Sequence, residues 1–247
     1  MLDSFIMINW IFPAIGAFLI GLSKGGFATG LGMISTPLVA TAMPARQALG
    51  IILPLLCFAD WFTISIYWRK WDLQVAFRLL IGAVPGIISG IFLVGSISDK
   101  SLKIGIGIIA LIFLCLLIIR QKWFPKKKYA PSLLHSLAVG FIAGFTSTLA
   151  HAAGPIIAIF LLAQKFDKQK FVATCAIYFA LGNLLKVPPY IISGVLNMDI
   201  FLKSLYFLPI IPIGVLAGWW ANKHLSQKVF VYIVYVLLFA TAIKLIF

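Results

Sequence analysis

The sequence predicts an all-α polytopic integral membrane protein. Its plan is an inverted repeat of two five-segment halves, each beginning with a short broken or re-entrant helical hairpin. Three observations predict this. Of 247 residues, 62% are hydrophobic and 11% charged, whereas a soluble domain is about a quarter charged. The apolar residues gather into runs of spanning length, about 20 residues. Two of those runs are too long for one span, and each is interrupted by small polar residues.

Taken in order, Met1 to Asn9 carries an Asp and no Lys or Arg. It lacks the basic start of a cleavable signal and reads as structural. Region 7–42 follows, interrupted at Ser23-Lys24-Gly25-Gly26. Spans at 47–67, 73–95 and 101–120 complete a first membrane repeat, residues 1–120. Residues 121–131 form a basic linker. The second repeat, residues 132–247, opens with region 133–164, interrupted at Thr146-Ser147-Thr148 with His151. Spans at 171–193, 202–221 and 228–246 follow. In both interrupted regions the pieces are about 15 residues, roughly 22 Å of helix, short of a hydrocarbon core about 30 Å thick. Each region therefore reads as a hairpin with its tip inside the membrane, or as two short spans.

Cytoplasmic loops carry the excess of Lys and Arg. With both regions as hairpins, twelve basic residues fall on the side of Arg69, Lys70 and the linker, against five on the side of Arg46, Lys100, Lys103, Lys203 and Lys244. With each region as a single span the split is eight against nine. The hairpin reading puts the linker in the cytoplasm, both termini outside, and Trp68, Trp71, Trp123, Trp219 and Trp220 near the cytoplasmic interface of a cell membrane.

The halves resemble each other. Gly26-Phe27-Ala28-Thr29-Gly30-Leu31 through Pro37 aligns without gaps on Gly144-Phe145-Thr146-Ser147-Thr148-Leu149 through Pro155. Further on, Pro85-Gly86-Ile87-Ile88-Ser89-Gly90 resembles the run from Pro212 to Gly218. An odd number of segments per half flips the second half, giving the inverted repeat common among secondary transporters.

Composition excludes several function classes. The net charge is +14, but the basic residues sit in short gaps between apolar runs, so nucleic acid is not a partner. There are six Asp and no Glu, and the three cysteines (Cys57, Cys115, Cys175) stand far apart. No metal site and no cofactor is expected. Neither a Gly-x-Ser-x-Gly elbow, a phosphate-binding loop nor a zinc helix is present, so the chain is not read as an enzyme.

The remaining chemistry lies at the two interruptions. Irregular backbone at membrane depth must line a cavity or be buried in protein. A new helix is expected to start after each tip, near Phe27 and Ala152, and a helix N-terminus offers unpaired N–H groups to an anion. Ser23, Thr29, Thr146, Ser147 and Thr148 can donate hydroxyl hydrogens, and Gly25 and Gly26 allow close backbone approach. Packing of small residues is the competing explanation. Lys186 either snorkels toward the loop at 194 or faces the cavity as a cation, with Asn183 one turn earlier on the same face. Lys24 is either a cavity cation or an interfacial anchor. His151 either titrates or bonds to backbone. Asp60, a carboxylate at membrane depth, is a proton-coupling candidate or a lysine partner, placed off the direct anion site.

At these residues the sequence resembles the sulfite exporter TauE/SafE family. The resemblance is carried by the Gly21 to Pro37 stretch, its echo at Gly140 to Pro155, and Gly182-Asn183-Leu184-Leu185-Lys186 ending in Tyr190. It covers essentially the whole chain. It implies a small permease that moves sulfite or organosulfonates such as sulfoacetate outward. Many members carry a longer glycine run at the first tip, where this chain has Lys24-Gly25-Gly26-Phe27. The expected function is a secondary transporter with a small anionic substrate and the lipid bilayer as partners. An anion channel, or a carrier of another small carboxylate or inorganic anion, is the alternative. A homo-oligomer is compatible with the sequence.

Overall fold

A computed structural model describes residues 2–26, 32–120, 131–224 and 227–247. Among the described residues the chain forms helices and connecting turns. They are α1 (Leu2–Gly26), α2 (Gly32–Ala40), α3 (Ala45–Ile66), α4 (Leu73–Ser96), α5 (Asp99–Arg120), α6 (Leu133–Ala150), α7 (Gly154–Ala163), α8 (Lys168–Ile192), α9 (Met198–Leu205), α10 (Ile210–His224) and α11 (Gln227–Ile246). Five of them, α3, α4, α5, α6 and α8, are long and apolar enough to cross a membrane. Side chains such as Phe77, Phe92, Ile112, Leu134, Ile192 and Trp219 stand exposed on their outer faces, as a bilayer permits. The chain is a multi-pass membrane protein.

Three expectations need correction. Ser23–Gly26 does not interrupt the first region: α1 runs on through Gly26, α2 is described from Gly32, and the expected helix start near Phe27 lies outside the described residues. The second interruption lies at His151–Ala153, so Thr146, Ser147 and Thr148 are the last turns of α6, and α7 begins at Gly154 rather than near Ala152. Hydroxyl residues do not break a membrane helix when they can donate to carbonyls one turn back. Thr146 does so to Ile142 O at 2.8 Å and Thr148 to Gly144 O at 2.9 Å. The break falls instead where His151 turns left-handed at φ 51° and Pro155 starts the next helix. The pieces are also unequal: 25 and 9 residues in the first region, 18 and 10 in the second.

The third correction concerns 202–221. It is a bent pair, α9 and α10, at 49°. Pro209 lies in the break; proline lacks the N–H that would continue the helix and crowds the preceding turn. The other predicted spans agree with helices to within three residues.

The first broken region is a hairpin. Gly32 lies beside Ser23, and Val39 beside Gly16. Ser35 donates to Gly16 O at 3.0 Å. In the second, α7 returns to α6, with the Phe160 and His135 rings edge to face at 5.6 Å.

The most extensive helix contacts are α4 with α6 and α1 with α10. Both are glycine-mediated. A Cβ at Gly21 or Gly25 would lie 2.3 or 2.0 Å from Ile211 O or Val215 O, and one at Gly214 or Gly218 would meet Phe18 O or Leu22 O at 2.4 or 2.3 Å. A Cβ at Gly82 or Gly86 would lie 2.2 Å from Leu137 O or Phe141 O, and one at Gly140 or Gly144 would lie 2.1 or 2.3 Å from Leu79 O or Ala83 O. Without lipid-excluding hydrophobic drive, such close approach is how membrane helices gain contact energy. Each hairpin's long helix is thus seated on a helix from the other half of the chain. Arg46 ties the start of α3 to the end of α4, donating to Val94 O at 3.0 and 2.8 Å and to Ile97 O at 2.5 Å.

Candidate functional site

The two hairpin ends meet. A cavity of about 60 Å³ lies between them, lined by Ser23, Lys24 and Gly32 from the first hairpin and by Ser147, His151, Ala153 and Gly154 from the second. Asn183 and Phe179 of α8, Leu56 of α3, and Ile20 and Met33 complete it. A water needs roughly 10–15 Å³ of such space, so the cavity has room for a few waters or a small oxyanion. Gly32 and Gly154 are the first residues of α2 and α7. Both short helices therefore begin at the cavity wall, with the positive ends of their dipoles there.

One wall is a charge-paired triad. Lys24 is salt-bridged to Asp60 Oδ1. Asn183 Nδ2 donates to Asp60 Oδ2 at 2.6 Å. Asp60 is 1% exposed and Lys24 16%. The lysine therefore reaches the cavity, while the carboxylate stands behind it and neutralises it. The face of the Phe179 ring lies 5.4 Å from the lysine nitrogen.

The other wall is backed by Lys186. This side chain is fully buried and does not snorkel. Its nitrogen donates to Ser147 Oγ at 2.9 Å and to Ser147 O at 3.4 Å, and lies 2.8 Å from His151 Nδ1. His151 Nε2 meets Leu49 O at 3.1 Å. A carbonyl only accepts, so Nε2 carries the ring hydrogen and Nδ1 accepts from Lys186. Tyr190 Oη donates to Thr148 O at 2.7 Å. The tyrosine bond satisfies a carbonyl that the end of α6 leaves open, while Ser147 O also accepts from His151 N at 2.9 Å. The lysine bonds place the Lys186 nitrogen at the negative end of that helix.

The predicted site residues therefore divide. Ser23, Lys24, Ser147, His151 and Asn183 line the cavity; Lys186 and Asp60 stand one layer behind it. Thr146 and Thr148 spend their hydroxyls on their own helix and do not line it. Gly25 packs on α10, Gly26 ends α1, and Thr29 lies outside the described residues. Sequence reasoning missed Phe179, although it shares a face of α8 with Asn183, Lys186 and Tyr190 at helical spacing. Two helix starts at the site were expected from the sequence; the second lies at Gly154 rather than near Ala152.

The depth is internal. Thr174, whose hydroxyl accepts from Asp72 N at the start of α4, marks one rim of α8. Asn183 lies nine residues further on, roughly 14 Å along the helix, near half the thickness of a hydrocarbon core. A second cavity, about 270 Å³, lies further along α1 and α3, lined by Trp10, Pro13, Met43, Gln47, Ile51 and Lys203 among others. The fully buried Ala17 and Ile52 lie between the two positions on those helices. Among the described residues no group of three or more His, Cys, Asp or Glu is placed to hold a metal ion.

No curated protein and no solved structure matches the chain. The family model for the sulfite exporter TauE/SafE family, a family of membrane transporters rather than enzymes, matches residues 14–245, and the chain belongs to that family.

Proposed function

We propose that the chain is a secondary transporter that exports small sulfur oxyanions or organosulfonates, with sulfite and sulfoacetate as the substrate class, by alternating access around the cavity between the hairpins. The observation that carries this reading is the lining. Both walls present hydrogen-bond donors, from Ser23, Lys24, Ser147 and Asn183, and the starts of two helices, while no carboxylate is among the lining residues. Such a surface favours oxyanions and disfavours cations. The family's description supports sulfur oxyanions within that class, and the direction of flux rests on it alone.

Alternating access is supported by the paired cavities along α1 and α3 with a buried apolar stretch between them. The exchanged seating of each long hairpin helix on the opposite half supports an inverted repeat. The basic bias of the loops supports a cytoplasmic linker and outward termini.

The test is a thermal-shift screen of the purified protein against sulfite, sulfoacetate, taurine, sulfate and chloride. Protection by sulfite or a sulfonate, lost in Asn183→Ala, is expected. Equal indifference to all five would refute the anion site. In liposomes, labelled substrate should accumulate against an opposing gradient of unlabelled substrate. Its failure to do so would indicate a channel.

A further inference from the structure

We propose that Lys186 takes up one proton each time the cavity binds an anion, with the Ser147 hydroxyl as the physical link. This rests on the anion reading above and assigns it a coupling ion.

The chain has six Asp and no Glu, and Asp3 falls at the very start of α1. Among the described residues Asp72 and Asp167 cap the starts of α4 and α8, and Asp99 and Asp199 lie in the first turns of α5 and α9. Asp60 is left for the interior, and Lys24 consumes it. Lys186 is fully buried and its hydrogen-bond partners are neutral: one carbonyl, one hydroxyl and one imidazole nitrogen. The end of α6 supplies a partial negative charge of about half a unit. A buried ammonium without a full counter-charge is costly. An anion in the cavity, one residue layer away, supplies the missing charge.

The groups facing Lys186 from its neighbours can be named. They are Cys57 and Asp60 on α3, His151 at the end of α6, Lys24 on α1 through Asp60, and Tyr190 on α8 itself, beside His151. Helix α7 carries no titratable side chain, and α4 only Arg78, near its start. None of these is a second carboxylate.

Ser147 connects the two events. Its neighbours Thr146 and Thr148 donate to their own helix. Ser147 instead meets Lys186 at 2.9 Å and also lines the cavity. Next to a neutral amine, Ser147 donates its hydrogen to the lysine lone pair, and the amine donates to Ser147 O and His151 Nδ1. When a proton from water arrives, the ammonium has three hydrogens and three acceptors. The Ser147 oxygen now accepts, and its own hydrogen turns into the cavity toward the anion. Protonation and anion binding thus use the same hydroxyl in opposite senses.

The experiment measures proton uptake with a pH electrode while the weakly buffered, purified protein is titrated with sulfoacetate and with sulfate. Neither probe titrates over the working range, about pH 6 to 9, because their acid groups ionise well below it. Wild type should take up about one proton per anion, and its affinity should weaken by about tenfold per pH unit on the alkaline side. Lys186→Met should bind with no proton uptake and at least tenfold more weakly at pH 6. Ser147→Ala, a milder change at the cavity wall, should flatten the pH slope. Anion binding by wild type with no proton uptake overturns this proposal and leaves the anion site standing. An unchanged slope in Ser147→Ala removes the serine link. Failure of both probes to bind at all refutes the anion reading, and the coupling with it.

Discussion

Replacing the contact glycines by alanine should separate the packing argument from composition. A Cβ at Gly25 would stand 2.0 Å from Val215 O, and one at Gly82 2.2 Å from Leu137 O. A carbon and a carbonyl oxygen rest at roughly 3.3 Å, so α1 and α10, or α4 and α6, must part by roughly 1 Å along their shared face. The obstacle is backbone and cannot swing away. Overpacking of this kind costs about 1–3 kcal/mol, and each pair also loses contact along several further turns. Gly105 of α5 is the control, because a Cβ there meets nothing within 4 Å. Alanine in that helix interior should stabilise by about 0.5–1 kcal/mol. Unfolding followed by circular dichroism in mixed micelles, with a denaturing detergent as titrant, should place Gly25→Ala and Gly82→Ala about 2–4 kcal/mol below Gly105→Ala. The two contacts are on different helix pairs, so the double variant should show the sum. If all three variants unfold together, the close approach of these helices is not what holds the halves.

Four further outcomes follow from the same geometry. Lys24→Met leaves Asp60 buried and unpaired and should cost about 3–5 kcal/mol. Adding Asp60→Leu should recover most of that, and a double-mutant cycle with no coupling would contradict the ion pair. Thr36 is fully buried, and its hydroxyl has no partner among the described residues; Thr36→Val should raise the melting temperature by the equivalent of about 1 kcal/mol. Tyr190→Phe strips Thr148 O of its donor and should cost about 1–3 kcal/mol in the same unfolding assay. At the rim, burial pushes the Asp72 carboxyl up, but the Lys170 ammonium at 2.8 Å and the N–H groups of Val75 and Gln74 outweigh it and hold it below the usual carboxylate range. A carboxyl depressed in the folded state stabilises above its unfolded value, about 3.9, and that contribution is lost as pH falls through the folded value. Asp72→Asn should therefore melt lower than wild type at neutral pH and converge with it in acid. Added salt should shrink the gap at this partly exposed pair.

Much of this was legible from the order of the residues. Apolar runs delimit α3, α4, α5, α8 and α11 because a spanning helix must be apolar for its whole length. The alignment of Gly26–Pro37 on Gly144–Pro155 directs attention to the two stretches that flank the cavity. The exact break positions were not legible. Serine and threonine look like helix breakers in water, yet Thr146 and Thr148 stay helical by donating inward. The stop is made by a left-handed His151, a conformation its sequence context does not announce. The bend at Pro209 has a sequence signal in the proline itself, but the apolar run continues through it and masks the break. In the site, Lys24, Asp60, Asn183 and Lys186 were visible as ionisable or amide groups in apolar surroundings. That Lys24 pairs with Asp60, while Lys186 joins Ser147 and His151, depends on how α1, α3, α6 and α8 rotate against one another, and rotation is set by glycine contacts with other helices.

The exchange of partners between halves has a consequence for biogenesis. When the ribosome has delivered the first 120 residues, the notched faces of α1 and α4 have no mates, because those lie on α10 and α6. The early segments must wait in the bilayer, loosely held, until translation supplies them. A gene severed at the linker should therefore yield two fragments that are each short-lived alone and rescue one another when co-expressed.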